Sequence, residues 1–172
     1  AASARDSIGA ALGKLVEKGK LAADARTALL GRIAFVDAPL AGSPSIYSDC
    51  SVVIEAIVEE LSAKRALFAA LSGVVAPDAI LATNTSSLSI ASLASAAANP
   101  ARVVGIHFFN PAPVMPLVEI VPALSTSPAV AAAARALVDS WGKTTVLATD
   151  TPGFIVNRVA RPFYLEGLRI YD

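Results

Sequence analysis

Cysteine, histidine, methionine and tryptophan each occur only once in this chain of 172 residues. A single thiol, Cys50, cannot close an internal disulfide, and with His107 as the lone imidazole the chain cannot assemble the Cys/His set of a structural zinc site. The expectation is a reducing compartment and no metal. Net charge is missing as well, because fourteen basic residues balance fourteen acidic ones. That leaves no electrostatic footprint for nucleic acid and no polybasic patch for a membrane surface. No apolar run approaches the roughly 18 residues of a bilayer-spanning helix, so a soluble, cytoplasmic protein is expected. A neutral surface suits a small-molecule enzyme, and many binding modules share it. The opening residues, Ala1 to Asp6, contain neither an initiator methionine nor the apolar core of a signal peptide. They read as the interior of a helix, which predicts that the chain starts partway through a longer protein.

What is present is alanine-rich helical periodicity alternating with short apolar runs. Ile8, Ala11, Leu12, Leu15 and Val16 recur at helical spacing up to Gly19, and Leu21 to Leu30 repeats the pattern up to Gly31, predicting a helical hairpin over 3–31. Ile33 to Asp37 reads as a short buried strand, broken by Pro39, Gly42 and Pro44 before a second strand, Val52-Val53-Ile54-Glu55. A helix is predicted from Leu61 to Val74 with Lys64 and Arg65 on its wet side. A strand follows at Ala79 to Thr83, a helix at Ser89 to Ala97 and a strand at Val103 to His107. Leu117 to Val121 and Thr144 to Leu147 read as strands around a helix from about Ser127 to Trp141, which Gly142 would end. Alternating β and α with short links predicts an α/β fold with a parallel sheet flanked by helices. After the break at Thr151-Pro152-Gly153, residues 154–172 read as one further helix, so a domain boundary is drawn near Thr149 to Pro152.

Three polar clusters follow strands or breaks: Asn84 to Ser87, His107 to Pro111, and Asp150 to Arg158. Ligands of open parallel sheets bind beyond the carboxyl ends of the strands, where the first two clusters fall. An imidazole titrates near neutrality, which makes His107 the one candidate for returning a proton easily. Glu119, on the adjacent predicted strand, could accept from one ring nitrogen, fixing the tautomer and leaving the other nitrogen as the base. A lone histidine at a strand end is also a common structural feature. A strand glutamate is harder to explain away, since an unpaired buried carboxylate is costly. Ser86 has no second histidine and no G-x-S-x-G context, so its hydroxyl reads as a hydrogen-bonding group for a ligand, or as the N-cap of the helix that follows. Asn157 and Arg158 read by default as a surface pair, and Phe108, Phe109 and Met115 as core.

Taken together, the strings Asn84-Thr85-Ser86-Ser87-Leu88, Gly105 to Met115 (GIHFFNPAPVM), Leu117-Val118-Glu119 and Asp150 to Arg158 (DTPGFIVNR) resemble those of the L-3-hydroxyacyl-CoA dehydrogenases. The likeness runs back through Val52 to Glu59 and, more loosely, to the opening helices. It implies a Rossmann-like NAD-binding domain over 1–149 and, over 150–172, the first helix of an all-α domain for substrate binding and dimerisation. By resemblance, His107 is the general base, Glu119 steadies the imidazolium, and Ser86 and Asn157 bind substrate oxygens. Ala56, Ile57, Glu59, Lys64, Ser86 and Asn110 would face NAD, and Lys18 would lie near the coenzyme A moiety. The implied reaction is reversible oxidation of a (S)-3-hydroxyacyl-CoA in fatty-acid or butanoate metabolism, by an enzyme that is a homodimer at full length. Alternatives are a relative acting on a free hydroxy or sugar acid, and an inactive or structural relative.

The sequence departs from the family at its front. The family's first strand, G-x-G-x-x-G turn and ribose-binding acidic residue are not among these residues. Those glycines let backbone approach a pyrophosphate at a helix N-terminus. By itself the chain is therefore expected to hold NAD weakly or not at all, to be inactive alone, and to expose strand edges that favour association. The choice between NAD and NADP stays open, as do chain-length preference and fusion to a hydratase.

Overall fold

A computed structural model describes residues 2–37 and 46–171. The chain divides into two compact units, Ala1–Gly42 and Ser43–Asp172. The first is a helical hairpin of α1 (Ala2–Glu17) and α2 (Ala23–Gly31). Gly19 turns the chain with φ +66°, a left-handed conformation that glycine adopts without steric cost. The Arg26 guanidinium crosses the hairpin to donate to the Gly9 carbonyl at 3.1 Å. The strand expected at Ile33 to Asp37 does not form. Among the described residues no strand pairs with this segment, and Ile33 and Val36 remain exposed. A strand exists only through a partner that takes its backbone groups. The breaker residues Pro39, Gly42 and Pro44 lie outside the described residues.

The second unit holds a five-stranded sheet, β1 (Val52–Glu55), β2 (Ile80–Thr83), β3 (Val103–Phe108), β4 (Leu117–Pro122) and β5 (Thr144–Leu147), in spatial order β1-β2-β3-β4-β5. The pairings β1–β2, β2–β3 and β4–β5 are parallel, whereas β3–β4 is antiparallel. The expected parallel α/β sheet is present, with this one antiparallel pair. The link over residues 109–116 is too short for the crossover of about a dozen or more residues that a parallel pair needs. Among the described residues the outer edges of β1 and β5 are unpaired.

One face of the sheet is apolar. Ile80, Ala82, Val104, Ile106, Val118 and Ile120 pack there against Ala134 and Val138 of α5 (Pro128–Ser140). Ser127 caps α5 by accepting from the Val130 N–H, Pro128 occupies its first turn, and Gly142 ends it at φ +76°. The other face carries Glu55, Thr83, Gly105, His107 and Glu119, which the register and the period of two place on one side. Helices α3 (Leu61–Ser72) and α4 (Ile90–Ala94) cover this face. Lys64 points inward from α3 and is buried, contrary to its expected place on the wet side, because Glu55 lies beneath it. Helix α4 is shorter than the predicted 89–97 span and is capped by Ser89, not by Ser86. Met115 is exposed and Phe109 is half-buried beside His107, so neither is a core residue, whereas Phe108, also half-buried, packs against the apolar core as expected. The last helix, α6 (Val156–Tyr171), buries no residue fully. Among the described residues no helix is long and apolar enough to cross a membrane.

The close approach of α4 to the sheet depends on Gly105. A Cβ there would stand 2.8 Å from Val121 Cβ and 3.0 Å from Ile90 Cδ1, and overpacking of this kind costs about 1–3 kcal/mol. Gly105→Ala is expected to lower the urea unfolding free energy by about that amount. An unchanged unfolding midpoint would show that α4 is loosely seated.

Candidate active site

The chemistry-bearing groups of the second unit lie on the face covered by α3 and α4 and along the carboxyl edge of β1, β2 and β3. His107 and Glu119 are directly opposed across the antiparallel β3–β4 pair. His107 Nδ1 lies 2.7 Å from Glu119 Oε2. The other carboxylate oxygen, Oε1, accepts from the Ile155 and Val156 N–H groups, each at 2.9 Å. Glu119 is completely buried, so these three donors replace the water it has lost. A carboxylate only accepts, so the proton of the pair sits on Nδ1 and the neutral ring presents Nε2 as its basic nitrogen. The imidazole is flanked by the rings of Phe109, tilted at a centroid distance of 4.7 Å, and Phe154, T-shaped at 5.6 Å.

Ser86 lies in the loop after β2, half-buried. Two contacts position that loop. Asn84 Oδ1 accepts from the Phe108 N–H at 2.9 Å, tying the end of β2 to the end of β3 beside His107. Glu59 Oε1 accepts from the Thr85 hydroxyl at 2.5 Å and the Ser86 N–H at 2.9 Å, with the Ser86 and Ser87 hydroxyls farther off at 3.5 and 3.4 Å. Glu59 is backed by Lys64, whose Nζ lies 3.2 Å from Glu59 Oε2 and 2.6 Å from Glu55 Oε1. Glu55 also accepts from the Thr83 hydroxyl and the Ile57 N–H. Burial pushes the Glu59 carboxyl up, but the Thr85 hydroxyl, the Ser86 N–H and Lys64 together outweigh it and hold the pKa below the ordinary value. Asn157 follows Val156 in the first turn of α6 and is half-buried. Ala56 and Ile57 are exposed in the loop after β1, and Asn110 is exposed after β3. Lys18 belongs to the hairpin unit, exposed in the turn after α1.

The structure thus pairs His107 with Glu119 and separately joins Ser86, Glu59 and Lys64 in one network, with Asn84 tying the Ser86 loop to the end of β3 and Asn157 one residue beyond an N–H that binds Glu119. Sequence reasoning missed Glu55, Asn84, Thr85 and Asp150 as organisers. An acidic residue ending the apolar run of β1 was a usable signal for Glu55. Asn84 and Asp150 open two of the polar clusters, but nothing local marked their partners, which lie in remote segments.

A mostly parallel sheet covered on both faces, with a carboxylate-oriented histidine near its strand ends, defines an α/β domain of the class that binds ligands beyond the carboxyl ends of its strands. Residues 1–151 match the family described as 3-hydroxyacyl-CoA dehydrogenase, NAD binding domain, and the chain belongs to that family, whose cofactor is NAD. It is 47% identical to the 3-hydroxyadipyl-CoA dehydrogenase of Escherichia coli over 97% of this chain and 34% of that protein. It is 40% identical to the 3-hydroxybutyryl-CoA dehydrogenase of Mycobacterium tuberculosis over 98% of this chain and 58% of that one. The crystal structure of 3-hydroxybutyryl-CoA dehydrogenase from Escherichia coli K12 superposes with a TM-score of 0.90 at 47% identity, over 98% of this chain and 34% of that chain. The chain therefore spans between a third and three fifths of these relatives.

The lowered Glu59 pKa makes a stability prediction. A depressed carboxylate stabilises the fold above its unfolded pKa, about 4.3 for glutamate, and that contribution is lost as pH falls through the folded value. The stability advantage of the native chain over Glu59→Gln, read from urea midpoints, is expected at pH 7 and should shrink steadily below about pH 4.3. A difference independent of pH would mean that the Glu59 charge plays no part in holding the Ser86 loop.

Proposed function

We propose that this chain supplies the proton-transfer and part of the cofactor-binding machinery of an NAD-dependent dehydrogenase that interconverts (S)-3-hydroxyacyl-CoA and 3-oxoacyl-CoA. The observation that carries the reading is the buried Glu119 carboxylate fastened to His107 Nδ1, which leaves Nε2 as the base. The donor set nearby fits one part of NAD: the Ser86 hydroxyl, the Asn110 amide and the Glu59 carboxylate are neutral or acceptor groups that suit a carboxamide and ribose hydroxyls. Lys64 is engaged by two carboxylates and acts from beneath Glu59. The glycines that would cradle the pyrophosphate are not among these residues. Ala56 and Ile57 would line the cofactor along the same edge. The chemistry NAD would supply, when bound, is that of a hydride acceptor for C3 of the substrate.

His107 Nε2 takes the proton of the 3-hydroxyl, and Glu119 stabilises the imidazolium that results. Its orientation is set in advance by the α6 N–H groups, so little reorganisation accompanies the transfer. Ser86 and Asn157 hydrogen-bond the substrate oxygens and keep the hydroxyl within reach of Nε2. Phe109 and Phe154 flank the ring and limit water around it. Lys18 would meet the coenzyme A moiety, and residues 150–172 would open the helical domain through which the full-length protein pairs with a second copy. The names of the relatives support four- and six-carbon acyl groups as first substrates to test, in fatty-acid or butanoate metabolism.

The test is NADH consumption with acetoacetyl-CoA and with free acetoacetate, measured on the 172-residue chain and on a chain that also carries the glycine-rich segment. Activity is expected only in the longer chain and only with the thioester, and His107→Gln should reduce turnover by about 100-fold or more. Turnover surviving that substitution would remove His107 as the base, and a preference for the free acid would reject the acyl-CoA assignment.

A further inference from the structure

One carboxylate on the segment between β5 and α6 has no part in the chemistry above. Asp150 Oδ1 accepts from the Ile90 N–H at 2.8 Å, and its Oδ2 accepts from the Ala91 N–H at 2.8 Å and from the Ser89 hydroxyl at 3.1 Å. The start of this segment is thereby fastened to the first turn of α4, directly after the loop that carries Ser86. Its far end supplies the Ile155 and Val156 N–H groups that bind Glu119 Oε1. Between the two attachments the backbone passes through two left-handed residues, Gly153 at φ +80° and Phe154 at φ +47°. A left-handed non-glycine residue is disfavoured and persists only where its surroundings hold it. Phe154 is buried and its ring meets that of His107 in a T-shaped contact.

We propose that Asp150 is a positioning residue for the His107–Glu119 pair. By anchoring residues 150–156 to α4, it keeps two N–H donors aimed at Glu119 Oε1. Glu119 in turn keeps Oε2 on His107 Nδ1. The same anchor sets the Ser86 loop and the first turn of α6, with Asn157, at a fixed separation, because both lie next to its attachment points. A plain capping role for Asp150 would end at α4, a helix that already has a cap of its own in the Ser89 hydroxyl, 3.3 Å from the Ser92 N–H. The side chain of Ile90, whose own N–H the anchor holds, is wedged over Gly105, two residues before His107. The anchor therefore bears on the pair from two directions.

This inference rests on His107–Glu119 being the working pair, but its test reads the hydrogen bond of that pair and not turnover, so the two readings fail separately. His107 is the only histidine, and its Nδ1 proton gives a single, assignable NMR signal. In Asp150→Ala, exchange of that proton with water is expected to accelerate about tenfold, as local opening of the segment frees Glu119. Asp150→Asn keeps one carbonyl oxygen for one of the N–H groups and should fall between, at about threefold; it carries the test if the alanine variant fails to fold. Ser127→Ala removes the comparable cap of α5 and should lower the melting temperature with the exchange rate unchanged. An exchange rate within a factor of about two of the native chain in every Asp150 variant that folds, or an equal acceleration in Ser127→Ala, would overturn the proposal.

Discussion

A carboxylate fully removed from water has to recover its lost hydration from the protein, and the arrangement around Glu119 follows from that requirement. Three donors converge on it: one from an imidazole on the neighbouring strand and two from the backbone at the start of α6. Breaking such a buried set by removing one partner costs about 3–5 kcal/mol, so the β3–β4 register and the path of the chain into α6 are fixed by the same group. The antiparallel turn of β4 is what allows this. It sets Glu119 directly across from His107, with both side chains on the face of the sheet covered by α3 and α4. Apolar burial on both faces holds the sheet together: Ile106, Val118 and Ile120 against α5 on one side, and Leu81, Val103 and Val121 beneath α3 and α4 on the other.

A second charge cluster, with Glu55 and Lys64 buried and Glu59 at the surface, does for the Ser86 loop what Glu119 does for the imidazole. Lys64 bridges Glu55, which anchors the end of β1, and Glu59, which gathers the N–H and hydroxyl groups of Thr85 and Ser86. The strand ends thus form a rigid rim in which each loop is tied to its neighbour by a side chain: Glu59 links the first two loops, Asn84 the second and third. Preorganisation of this kind is what a reaction needs if its donors and acceptors must stand ready before the substrate arrives.

Much of this was legible in the amino-acid order. The alternation of helical and strand periods gave the α/β class, Gly142 marked the end of α5, and the strand placement of His107 and Glu119 made them candidate neighbours. Other features had no local signature. Ile33 to Asp37 has the composition of a strand, but strand formation depends on a partner elsewhere. Lys64 looks like a surface lysine on a helix, and only the position of Glu55 on β1 turns it inward. Met115 resembles core by residue type, yet the short β3–β4 link leaves it in solvent. Asp150 and Asn84 work through backbone N–H groups far away in the chain, which carry no residue identity for a sequence pattern to detect.

The most direct test of the account is the tautomer of His107. In the neutral ring the two imidazole nitrogens have distinct 15N shifts, and with one histidine in the chain no assignment is needed. The account predicts that Nδ1 carries the proton, donated to Glu119, and that Nε2 is bare. In Glu119→Gln this preference should be lost, since the amide can turn its NH2 toward the ring. A native ring protonated on Nε2, or one exchanging freely between the two forms, would contradict the claim that Glu119 prepares His107 as a base.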